Sequence, residues 1–132
     1  MDHDGDCVFD IEISTPDLKV HSYFWGDVDS FSEFGAGLRG FPRRIDDMVV
    51  FETGEESIGL GYPYLLLTAA CYDHFGHSAL QIVVNNNELL PRAQRLEFFI
   101  PAEVASINAL GNLLSNWKCD VDSEVLWEAQ TS

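Results

Sequence analysis

The chain has 132 residues, 46% of them hydrophobic and including nine Phe and three Trp, which is enough for one core and a single domain over 1–132. Seven Lys and Arg against 22 Asp and Glu leave a formal charge of −15, a field that repels nucleic acid and anionic lipid and attracts basic partners. No run of about 18 uncharged apolar residues is present, which argues against a membrane span, and the start of the chain lacks the basic-then-apolar pattern of a signal peptide.

Residues 1–6, MDHDGD, form an acidic lead-in. Their aspartates are not a calcium loop, because the twelfth position counted from Asp2 is Ile13 and not a bidentate Glu. From Cys7 the pattern alternates, with Phe9, Ile11 and Ile13 on one side and Asp10, Glu12 and Ser14 on the other, as in a half-buried strand. A turn at Thr15-Pro16-Asp17 leads to a second strand over 18–25. Its Leu18, Val20, Ser22 and Phe24 share one face, and Lys19, His21, Tyr23 and Trp25 the other. Helix-capping residues at 27–30 open a helix running to about Phe41, with Phe31, Phe34, Leu38 and Phe41 as its apolar stripe. Arg43 and Arg44 follow it, where cations meet the negative end of the helix dipole. A short strand over 48–52 and a loop, TGEESIGLGYP, come next.

The segment 62–87 is the organising hairpin. Asp73-His74-Phe75-Gly76 suits a four-residue turn, Asp for its local hydrogen bonding and Gly for positive φ. That loop sets Tyr72 opposite His77, Ala70 opposite Ala79, Thr68 opposite Gln81 and Leu66 opposite Val83. The other face carries Leu65, Leu67, Ala69 and Cys71 against Val84, Ile82, Leu80 and Ser78, and is the more apolar, hence the core face. After a polar turn at Asn85-Asn86-Asn87, residues 92–100 alternate as a strand. Pro101-Ala102-Glu103 then opens a helix that ends near Trp117. The tail, 119–132, is either a short strand or a docked segment.

The two helices share a template: Phe31, Phe34, Gly35, Leu38 and Phe41 match Ile107, Leu110, Gly111, Leu114 and Trp117. A Gly inside a helix costs about 1 kcal/mol relative to Ala, so two at one phase imply that each helix approaches a neighbour closely there. The match also fits a strand-strand-helix pseudo-repeat, although any amphipathic helix produces similar spacing. The element order predicts an α+β fold, a mainly antiparallel sheet of about six strands with two helices packed on one face. The other face would then expose Tyr23, Trp25, Leu66, Thr68, Gln81, Val83 and Phe99, a partly aromatic surface of the kind that marks a contact site.

Recognisable chemistry is scarce. Cys71, His74 and His77 have a ligand-like spacing, but Cys71 points to the core and His77 away from it, and no fourth ligand accompanies them. Neither a nucleophile elbow nor a Cys-His signature is present, so the expectation is a protein without cofactor or metal and more readily a binder than an enzyme. Three cysteines without scaffold-like spacing, Cys7, Cys71 and Cys119, read as reduced thiols in a cytoplasmic protein.

Three stretches, FWGDVDSFSEFGAGLRGFP, DHFGHSALQIVV and LEFFIPAEVASINALGNLL, resemble small uncharacterised bacterial α+β domains that include the immunity proteins of secreted-toxin systems. The resemblance implies a cognate toxin bound and blocked by an acidic surface. Nuclease toxins are basic because they hold phosphate, and an acidic inhibitor gains rapid association from that charge. Tyr23, Trp25 and Phe99 are the candidate aromatic anchors, with Asp10, Glu12, Glu55, Glu56 and Glu97 around them. The alternatives are a self-associating module, for instance a homodimer, or a small-molecule-binding protein or enzyme using the open sheet and the 54–61 loop.

Overall fold

A computed structural model describes residues 6–27, 29–57, 59–117, 124 and 126–129. It is an α+β fold of six antiparallel strands and two helices, in the order β1 (Asp6–Thr15), β2 (Leu18–Asp27), α1 (Ser30–Arg39), β3 (Met48–Thr53), β4 (Tyr64–Cys71), β5 (Ser78–Asn85), β6 (Arg95–Ala102), α2 (Val104–Asn116). The six strands form two sheets where the sequence suggested one. Among the described residues β1 and β2 pair only with each other, and β3-β4-β5-β6 form the second sheet in chain order. Strand pairing between distant segments is set by packing, which alternation along one strand does not encode.

The central hairpin has the expected register, with Leu65 opposite Val84, Thr68 opposite Gln81 and Ala70 opposite Ala79. Its turn forms for the expected reasons. Asp73 Oδ1 accepts from the Phe75 and His77 amides at 2.9 and 3.1 Å, the Tyr72 amide donates to the His77 carbonyl at 2.8 Å, and Gly76 has φ +85°. The alternation in β1 and β2 is likewise as read: Phe9, Val20, Ser22 and Phe24 are buried, while Lys19, His21, Tyr23 and Trp25 are exposed.

One face of the four-stranded sheet feeds the core. Phe51, Leu65, Ala69, Leu80, Ile82 and Val84 form one buried cluster with Phe9, Val20 and Phe24 of the hairpin, Phe31, Phe34 and Leu38 of α1, and Ile107 and Leu114 of α2. Aromatic rings carry the junction between the two sheets. Phe9 stacks on Phe24 with centroids 4.7 Å apart, Phe24 meets Phe51 at 5.1 Å, and Phe31 stacks on Phe51 at 4.7 Å. Such pairs add about 0.5–1.5 kcal/mol each beyond their buried area. One hydrogen bond also ties the hairpin to the segment before β4, the Trp25 amide donating to Tyr62 Oη at 2.6 Å.

The matched glycines are where the two helices meet. A Cβ on Gly35 would lie 2.8 Å from the Gly111 carbonyl oxygen, and one on Gly111 would lie 2.7 Å from that of Gly35. Asn108 of α2 also donates from Nδ2 to the carbonyls of Leu38 and Phe41, both at 2.8 Å, tying α2 to the end of α1, where the Leu38 carbonyl accepts the Phe41 amide as well. Several boundaries differ from the sequence reading: α1 ends at Arg39 and not near Phe41, β2 runs on to Asp27, and β6 covers Arg95–Ala102 and not 92–100. Pro101 and Ala102 continue β6 instead of opening α2, Pro being tolerated on an edge strand, and Glu103 is the N-cap. Arg43 and Arg44 pair with the nearby Asp47 (3.9 Å) and Asp46 (2.8 Å).

Of the tail, Trp127 and Ala129 pack against the core, and Trp127 Nε1 donates to the Ser106 carbonyl at 2.8 Å. Residues 119–123 and most of the acidic lead-in lie outside the described residues.

Candidate protein-binding surfaces

The residues expected to make one contact surface fall on two. On the hairpin, alternate pairing sets Val8 opposite Trp25, Asp10 opposite Tyr23, Glu12 opposite His21 and Ser14 opposite Lys19 on one outward face. Trp25 is 61% exposed, and Tyr23 is partly shielded by the edge of the Tyr62 ring, 6.1 Å away between centroids. Glu12 pairs with Lys19 at 3.4 Å, and Asp10 lies 3.9 Å from His21. All four side chains are more than half exposed, so these pairs contribute little to stability.

Phe99 belongs to the other surface, on a face of the four-stranded sheet that it shares with Leu66, Thr68, Gln81 and Val83, but Thr68 and Val83, expected to be exposed, are buried, at 4% and 3% exposure. Read across the strands, this face has rows of graded polarity. Met48, Ala70, Ala79 and Pro101 make the first, Val50, Thr68, Gln81 and Phe99 the second, Glu52, Leu66, Val83 and Glu97 the third, and Tyr64, Asn85 and Arg95 the last. The middle is buried at Thr68 and Val83, while Met48 and Phe99 at the margins are each 60% exposed. The hairpin tip beyond the first row exposes Tyr72 and Phe75, the latter by 86%. Tyr23 and Trp25 do not share this face, because their hairpin is a separate sheet.

The acids of this surface are already engaged. Arg95 donates from Nε to Glu56 Oε1 at 2.6 Å and from a guanidinium nitrogen to Glu97 at 3.4 Å. Asn85 Nδ2 donates to Glu56 at 2.8 Å, and Gln81 Nε2 to Glu97 at 2.8 Å. Hydrogen bonds from Arg95 and then Asn85 hold the Glu56 carboxyl below its ordinary range. Tyr64 Oη donates to Glu52 at 2.6 Å, and burial first, then that bond, pushes the phenol up to about 12. Glu55 is exposed beside this network, and its backbone carbonyl serves the loop below.

That loop shows what the sequence reading missed. Asn87, only 2% exposed and with φ +56°, donates from Nδ2 to the Glu55 and Tyr62 carbonyls at 2.8 and 2.7 Å and accepts the Ser57 amide on Oδ1 at 3.1 Å. Its own carbonyl accepts the Gly59 amide at 2.8 Å. Asn86 does similar work for the next loop, accepting the Glu88 and Gln94 amides on Oδ1 and donating to the Arg92 carbonyl. Three consecutive asparagines were the available signal, since this side chain mimics a backbone amide and tolerates positive φ.

The ligand-like trio does not converge. Cys71 faces the core side, its Sγ 3.9 Å from the Gly76 carbonyl oxygen, and burial first, then Asp73 and Asp47, raises its thiol. His77 points the other way, stacked near Tyr72 with Nδ1 2.5 Å from Asp73 Oδ2, and His74 is exposed in the turn. Among the described residues no three His, Cys, Asp or Glu side chains are grouped to hold a metal ion. A groove of about 330 Å³ lies between β2 and the end of the larger sheet, walled by Lys19, His21, Tyr23, Pro63, Val84 and Leu96. Among the described residues no helix is long and apolar enough to cross a membrane. Compared with models of known families, with curated proteins and with solved structures, the chain matches none of them.

Proposed function

We propose that this chain is a non-enzymatic acidic protein-binding domain whose partner is a basic protein, in the form of an immunity or inhibitor protein that blocks a basic toxin. The observation that carries the reading is a charge of −15 combined with aromatic side chains held outward on strand faces, Trp25 and Phe99 above all. Exposed aromatics supply contact energy, and the net charge accelerates encounter with a cation-rich surface. In this reading both helices and the hairpin cover one face of the four-stranded sheet and leave the other for a partner. The strand-strand-helix repeat belongs to the same proposal, supported by the matched glycines Gly35 and Gly111.

Capture of partners on the immobilised protein at low and at moderate salt tests it, with Y23A/W25A and F99A run in parallel. The expected result is a basic protein retained at low salt, released as salt rises, and bound about tenfold or more weakly by at least one variant. Retention of no basic protein from cells shown to express the candidate toxin overturns the reading, as does binding indifferent to salt and to both variants.

A further inference from the structure

β2 has one edge on β1 and the other on a groove. The Trp25 amide shows how its backbone is disposed. Trp25 stands opposite Val8 in the hairpin, yet its amide donates away from β1, to Tyr62 Oη at 2.6 Å. The N–H and C=O groups of alternate residues leave a strand on the same side, so Tyr23, His21 and Lys19 also turn their backbone polar groups away from β1. These three residues line the groove of about 330 Å³ whose far wall includes Val84 and Leu96, and among the described residues no other strand pairs with this edge. Along about 13 Å of extended chain, the groove sets a row of open backbone donors and acceptors against a partly apolar wall.

A second observation belongs to the same groove. Ser22 is 7% exposed and lines it, and among the described residues its hydroxyl has no hydrogen-bond partner. Buried hydroxyls are rarely left unpaired, so whatever fills the groove supplies the partner. Charge does not select that occupant, because Lys19 and His21 already lie beside Glu12 and Asp10. What the groove offers is neutral: amides and carbonyls at the spacing of a strand, one hydroxyl, and apolar side chains. A polypeptide backbone is the chemistry that matches such a row, since it presents both donors and acceptors at the same spacing. We propose that the groove binds a short extended peptide of a separate polypeptide, which adds as a strand to the free edge of β2. Its backbone pairs with Lys19, His21 and Tyr23, and alternate side chains turn inward toward Ser22, Val84 and Leu96.

This proposal does not rest on the basic-partner reading, and an uncharged probe separates the two. The test is a nuclear magnetic resonance titration of the isotope-labelled protein with the capped peptide acetyl-Thr-Val-Thr-Val-Thr-amide. The peptide is expected to shift the Lys19, His21 and Tyr23 amide signals saturably and to slow their exchange with solvent. It does so equally at low and at moderate salt, unlike the capture of a basic protein. N-methylation of one alternate set of peptide amides abolishes binding and N-methylation of the other set leaves it, because only one set faces β2. Ser22→Ala keeps or raises the melting temperature, since it deletes a buried hydroxyl with no protein partner, and it binds the peptide about three- to tenfold more weakly. Four results would each overturn the proposal: no shifts up to several millimolar peptide, binding that survives methylation of either set, S22A binding as wild type does, or His21 and Tyr23 amides already slow to exchange without peptide. The last is what a tail or a second copy paired with this edge would produce.

Discussion

Asn87 shows how much one side chain can organise. Two hydrogen bonds donated by its side-chain Nδ2, one accepted by its Oδ1 and one accepted by its backbone carbonyl hold the residues between β3 and β4 against the end of β5. Asn87→Ala leaves two carbonyls and an amide short of partners in a part-buried site, so it is expected to cost about 3 kcal/mol or more in urea unfolding, at about 1–3 kcal/mol for each unsatisfied group. Asn87→Asp should be no better, because it turns a donor into a carboxylate facing two carbonyl oxygens. Glu56 is the residue-scale pH probe. Its folded carboxyl lies below its ordinary value, so the stability it contributes is present above the unfolded carboxylate range and lost as pH falls through the folded value. Wild type and Glu56→Gln should therefore differ in melting temperature near neutral pH and converge in acid. Neither residue's role could be read locally, since their partners lie 25 to 39 positions away in the chain.

At the scale of elements, the helix crossing is the sharpest case. Gly→Ala within a helix normally gains about 1 kcal/mol. At Gly35 the added Cβ would meet backbone atoms of α2 at 2.7 to 2.8 Å, and backbone cannot yield without moving the helix. Gly35→Ala is thus expected to destabilise by about 1–3 kcal/mol net in thermal or denaturant unfolding. Gly40→Ala, whose Cβ would meet only the Arg43 side chain at 3.5 Å, should be close to neutral. The glycines themselves were legible as close approaches because their cost in a helix demands a reason. That they approach each other was not, because periodicity describes one helix and says nothing of its neighbour. Pro101 misleads for a related reason: Pro suits both a helix start and an edge strand, and only the pairing of β6 with β5 separates the two.

For the whole molecule, what matters is how two sheets with no strand pairing between them are held as one body. The answer is the aromatic cluster of Phe9, Phe24, Phe31 and Phe51. Phe24, 1% exposed, sits at its centre, and Phe24→Ala is expected to cost about 3–5 kcal/mol. Amide exchange in β1 and β2 should rise before that in β4 and β5, because the hairpin depends on these rings while the larger sheet keeps its own ladder. Uniform exchange across both sheets would show that hairpin and sheet open as one unit. The division into two sheets also separates Tyr23 and Trp25 from Phe99, so the Y23A/W25A and F99A variants probe different surfaces.

Local chemistry along the chain was sufficient for the 64–85 hairpin with its register, for the alternating faces of β1 and β2, and for the apolar stripes of both helices. In each case the deciding interactions lie within a few residues, in a turn carboxylate, a positive-φ glycine or a fixed side-chain period. Composition alone determined the acidic charge. Tertiary structure decided the rest: two sheets where alternation allowed one, the meeting of Gly35 with Gly111, and the burial of Asn87. Those outcomes depend on which distant surfaces come to share a core, and burial is proportional to area removed from water without regard to sequence order.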